Sequence, residues 1–168
     1  DDNDFKDAFA TWSERRKKKQ FYVVRAIERF LGSAPGASYK WSEGKSRDWE
    51  VEHIYPQSKR AGLSVSVNRI GNLVLLEGAI NGSIQAADFA DKKKAYEFGI
   101  PRKRGKNVPP SKLSAVVGPI DGKYTPDPSD PTKTQYTLVV DYQKFEEVDI
   151  RKRQAELSGL APEIWKIC

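Results

Sequence analysis

Apolar residues recur at helical intervals from Phe5 to Phe30. Phe5, Ala8, Phe9 and Trp12 share one face, a basic run from Arg15 to Lys19 follows, and Phe21, Val24, Ala26, Ile27, Phe30 and Leu31 form a second stripe. This spacing predicts two helices. Pro35, between Gly32 and Gly36, stops the second, and the polar stretch 40–48 reads as an irregular connection that Trp41 and Trp49 anchor.

The period then changes. Residues 49–54 read as a short extended stretch that ends before Pro56. A polar loop runs through Lys59, Arg60 and Gly62 to Ser66, and Leu73, Val74, Leu75 and Leu76 make a second apolar run too short for an independent helix. The two runs suit a hairpin with a long loop. Asn81 opens a helical segment containing Ile84, Ala87, Phe89, Lys92 and Tyr96, with Asp88 early and Lys92 to Lys94 late, an order that suits the helix dipole. Residues 100–131 are rich in Gly, Pro, Lys and Arg and read as a loop-dominated excursion, 136–142 as a strand, and 150–167 as a closing helix. The expectation is one mostly helical α+β unit over 1–168: N-terminal helices in 1–48, a compact core in 49–98, and the excursion, strand and closing helix in 99–168.

The chain has 168 residues, of which 38% are hydrophobic, enough to bury one proper core. No apolar run approaches the length of a membrane span, and the opening Asp1, Asp2, Asn3 and Asp4 do not resemble a signal peptide. Because the first residue is not methionine and the chain contains none, a fragment of a longer polypeptide with upstream domains is expected. The single cysteine, Cys168, can form neither an internal disulfide nor a cysteine zinc site, so a reducing, cytoplasmic setting is expected and any metal must be held by oxygen or nitrogen. A net charge of +6 favours a polyanionic partner, although an ordinary solvated surface explains it equally well. The runs 15–19, 92–94 and 102–106 are open to the same two readings, phosphate contact or solvated charge.

Chemistry concentrates at Glu52 and His53, Asn72 and Asn81. Hydrolysing a phosphodiester takes a base for the attacking water, a cation to offset charge, and something that fixes the base's orientation. His53 can be the base if its other ring nitrogen is held, and Asn72 suits that holding role. Glu52 and Asn81 offer hard oxygen donors suited to one magnesium or manganese ion. Strand alternation points Glu52 and His53 to opposite faces, so a shared metal requires a bend before Pro56.

The order EHIYPQS at 52–58, RIGNLVLLEGAIN at 69–81, then Phe89, Lys92 and Tyr96 resembles the HNH endonuclease domain of the DUF1524 type, found at the C-termini of modification-dependent and phage-defence restriction proteins. The resemblance extends to the aromatic-rich helices around Tyr22 and Phe30 and to IRKRQAELSGLAPEIW at 150–165, and so covers most of the chain. It implies a ββα-metal nuclease core in which His53 is the general base, Asn72 orients it, and Glu52 and Asn81 hold the metal. It also implies DNA as substrate and control by an upstream sensor or nucleotide-hydrolysing domain. Two departures stand out. Glu52 occupies a position where many such proteins have Asp, and Ile84 falls where a lysine three residues after Asn81 would serve the phosphate. The alternative reading is a DNA-binding module that keeps the fold without turnover.

Overall fold

The computed structural model describes residues 1–32, 48–117 and 136–165. Trp41 and most of the connection expected at 40–48 lie outside this range, as does much of the predicted excursion. The two N-terminal helices form as the periodicity predicts: α1 (Asp2–Ala10) and α2 (Lys17–Gly32). Asp1 starts α1 with a capping box, its carboxylate accepting from the amides of Asn3 and Asp4.

Strand β1 (Trp49–His53) pairs antiparallel with β2 (Leu73–Glu77), in a register that sets Glu52 opposite Val74 and His53 opposite Leu73. Among the described residues this is the only sheet. Helices α2, α3 (Gly78–Ile84) and α5 (Ser114–Val117) all pack on β2, which is why Leu73 to Leu76 is an unbroken buried run rather than an alternating one. The result is an α+β arrangement of helices around one hairpin.

The chain does not build a single helix from Asn81, as its spacing predicts. Helix α3 begins earlier, at Gly78, and ends at Ile84. Gln85 adopts φ 40°, a left-handed conformation that turns the chain, and α4 (Phe89–Phe98) begins after Asp88. Asn81 is therefore an interior residue of α3. The strand predicted at 136–142 is also absent: a 3-10 turn occupies Val139–Asp141. Its backbone is satisfied by carboxylates instead of a neighbouring strand. The amide and hydroxyl of Thr137 donate to Glu156, and the amide of Leu138 donates to Asp141. The apolar pattern there buries Tyr136, Val139 and Tyr142 in the core.

Helix α6 (Glu147–Ile164) locks the hairpin from behind. Arg153, only 1% exposed, donates to the carbonyls of Ile70, Gly71 and Leu73 at 3.2, 3.0 and 2.8 Å and to the Tyr136 hydroxyl at 2.9 Å. Gln154 accepts from the Gly71 amide at 2.7 Å and donates to the Phe9 carbonyl at 2.6 Å, joining α1 to the same point. The contact is so close that a Cβ on Gly71 would lie 2.1 Å from the Ile150 carbonyl oxygen. Backbone atoms cannot rotate away, so Gly71→Ala is expected to cost at least about 1–3 kcal/mol as overpacking. Urea denaturation checks this, and an unchanged midpoint would show that α6 can back away.

Candidate active site

His53 ends β1 half-buried, and its ring is held by neighbours from the long loop rather than by Asn72. Nε2 lies 3.1 Å from the Asn68 Oδ1 and 2.9 Å from the Gln57 Nε2. The Asn68 oxygen also faces the Gln20 and Gln57 amide nitrogens, both at 3.4 Å, which makes it a shared acceptor for α2, the loop and the imidazole. With Nε2 protonated, the ring donates to Asn68 and keeps the lone pair on Nδ1; with Nδ1 protonated, Nε2 accepts from Gln57. Burial is the main cause holding the His53 pKa below its usual 6.5. The positive charges of Lys92 and Lys17 add to it, and the Asn68 bond opposes it. The imidazole is therefore neutral at neutral pH.

Asn72 is fully buried and acts one step away from the ring. Its Oδ1 accepts from the Tyr55 amide at 2.7 Å, and its Nδ2 donates to the carbonyls of Tyr55 and Val67 at 3.1 and 2.9 Å. It clamps the backbone just after His53 to the backbone just before Asn68. The expected ring contact is thus corrected: Asn72 fixes the two segments, and Asn68 with Gln57 holds the imidazole. Sequence reasoning missed both. The available signal was their place in the motifs, Gln57 within EHIYPQS and Asn68 just before RIGN, but nothing in a linear pattern shows that the loop folds back.

Glu52 lies inward, 5% exposed, with its carboxylate bonded to the buried Lys92 ammonium and 3.4 Å from the Tyr96 hydroxyl. Burial pushes the Glu52 pKa up, and Lys92 opposes that rise. Lys92 also donates to the His53 carbonyl at 2.7 Å. Neither reading of Lys92 as a surface charge or a phosphate contact holds, because it is an internal countercharge fixing the end of β1. The bend expected to turn Glu52 and His53 toward one metal leaves them with different partners, although both border a cleft of about 200 Å³.

Asn81 is brought to Glu50 rather than to Glu52, its Nδ2 donating to the Glu50 carboxylate at 2.6 Å. Asn81, Glu50 and His53 all border a larger cleft of about 700 Å³. Among the described residues no three His, Cys, Asp or Glu side chains converge on a metal position. In kind, the donors suit a hard cation: the Asn81 amide oxygen and the carboxylates of Glu50 and Glu52, which strand alternation places on one face of β1. As arranged, such an ion would meet Asn81 and Glu50, and would gain Glu52 only in exchange for Lys92.

Over residues 1–160 the chain matches the family model of the C-terminal domain of GmrSD restriction endonucleases. It belongs to that family. No curated protein and no solved structure matches it. No helix among the described residues is long and apolar enough to cross a membrane.

Proposed function

We propose that this domain is an HNH-type endonuclease that hydrolyses phosphodiester bonds in DNA, with His53 as general base. The observation that carries the reading is a neutral imidazole, held at Nε2 by Asn68, at the mouth of a cleft with basic walls, in a chain of a restriction endonuclease family. The Nε2–H donates to Asn68, so Nδ1 takes a proton from water as the water oxygen attacks phosphorus. Asn72 and Lys92 keep that ring in place through the backbone that follows it, at the Tyr55 amide and the His53 carbonyl. A magnesium or manganese ion held by Asn81 and a carboxylate of the Glu50–Glu52 face would supply the charge that offsets the phosphate. In a full-length protein the domain would serve as effector beneath an upstream sensor or nucleotide-hydrolysing domain.

The grip of Lys92 on Glu52 favours a second reading, a DNA-binding module with an HNH-like fold and no turnover. Nicking of supercoiled plasmid, followed with magnesium and with manganese across pH, separates the two. A base works only when neutral, and folding depresses the His53 pKa. The acid limb of kcat/KM is therefore expected to have its midpoint below 6.5. A midpoint above 6.5 removes His53 from the role. Salt-dependent duplex binding with no nicking in either metal favours the inactive module.

A further inference from the structure

The sequence offers three basic runs, and the fold treats them differently. On α4, Lys92 is buried against Glu52, Lys93 donates to the Tyr142 carbonyl at 3.1 Å, and Lys94 faces Asp91 at 3.8 Å. Lys59 is paired with Asp88. None of Arg102, Lys103, Arg104 or Lys106 lines either of the clefts of about 200 and 700 Å³ that His53 borders. In the first run, Arg16 and Lys19 are occupied by Glu14 at 3.2 and 3.7 Å.

The remaining cations stand apart. Arg15, Lys17 and Lys18 are exposed and line the 700 Å³ cleft that holds His53 and Asn81. Arg15 also lines a second cleft, of about 580 Å³, with Arg60, Ser66 and Asn68. Arg15 and Gln57 border both, so the two clefts flank the His53–Asn68 pair. Among the described residues, no carboxylate forms an ion pair with Arg15, Lys17, Lys18 or Arg60. Among the described residues Glu50 is the only acidic one lining either cleft, and it is bonded to Asn81. Lys17 lies close enough for its charge to act on His53. Phe21 and Val51 give the larger cleft an apolar wall.

We infer that Arg15, Lys17 and Lys18, continued by Arg60, form the track that carries a DNA backbone past His53. Unpaired, solvated cations along a groove are what a phosphate chain requires, because each phosphate they neutralise releases counterions and adds to the salt dependence of binding. The inference rests on the nuclease reading for its substrate, but its test reads binding and turnover separately.

The test is the affinity of labelled duplex DNA, measured against salt, for the parent chain and two variants that each remove three positive charges: R15A/K17A/K18A and R102A/K103A/R104A. The first is expected to bind at least about tenfold more weakly at physiological salt, with a log–log salt slope shallower by about 2 to 3, close to 0.9 per phosphate lost. The second is expected to keep the parent slope, which removes net charge as the explanation. All three side chains of the first variant are exposed, so thermal melting should be unchanged. A parent-like slope in the first variant, or the loss appearing in the second, overturns the track, as does tighter binding to RNA of the same sequence. A parent chain that binds through the track but never nicks leaves the inference standing and defeats the nuclease reading alone. A parent chain with no affinity for DNA overturns both.

Discussion

His53→Ala is expected to nick supercoiled plasmid about 10² to 10⁴ times more slowly than the parent chain, the range a positioned general base supplies. The substitution should leave the fold intact. The ring is only half-buried at the end of β1, and its side-chain partners, Asn68 and Gln57, also bond to each other or to Gln20, so no amide is left orphaned. The paired readout is duplex affinity against salt, which depends on cations that the substitution does not touch and should stay at the parent value. Undiminished nicking would refute the assignment. Loss of nicking together with lost affinity or a lowered melting point would mean that the imidazole holds structure rather than moves protons.

Lys92→Met should be the most damaging single change to stability among the charged residues of the site, at about 3–5 kcal/mol. The ammonium is 1% exposed and is the only cation on the buried Glu52 carboxylate among the described residues. Removing it leaves that charge with only the neutral Tyr96 hydroxyl and His53 amide and deprives the His53 carbonyl of its donor. Methionine keeps most of the volume, so the loss reports electrostatics more than cavity formation. The double variant E52Q/K92M should recover part of it, because an amide carries no charge to strand. The Lys59–Asp88 pair is a useful contrast. It is exposed on both sides and screened by water, so Lys59→Met should barely move the denaturation midpoint. If Lys92→Met costs no more than that surface change, the internal pair is not a structural element and its lysine is free to exchange for a metal.

The parts of the fold that could be read from sequence were those governed by local periodicity. The stripes Phe5 to Trp12 and Phe21 to Leu31 gave two helices, and two short apolar runs separated by a polar loop gave a hairpin. The misreadings share a cause. Residues 136–142 alternate like a strand, but their hydrogen-bond partners are Asp141 and the α6 residue Glu156, which no local pattern reveals. The break at Gln85 depends on one left-handed residue of a type that seldom adopts it. Within the site, chemistry picked out His53, Asn72 and Asn81 as residues worth placing, but partners could not be assigned along the chain. Asn72 was expected on the ring and is on the backbone, Asn81 was expected beside Glu52 and meets Glu50, and Lys92, open to reading as a phosphate contact or a solvated charge, is internal. The pattern Ile150-x-x-Arg153-Gln154 proved to be a clamp on the turn that precedes β2.

That clamp has a temporal side. The carbonyls of Ile70, Gly71 and Leu73 wait for a guanidinium some eighty positions further along the chain. A nascent polypeptide can pair its hairpin and close the Asn72 clamp early, but the turn that carries Asn72 lacks its outer brace until α6 has left the ribosome and docked. On the proposed nuclease reading, the place where cutting is done would thus gain this brace only once α6 docks, and a chain truncated before Arg153 is expected to lose nicking as well as stability.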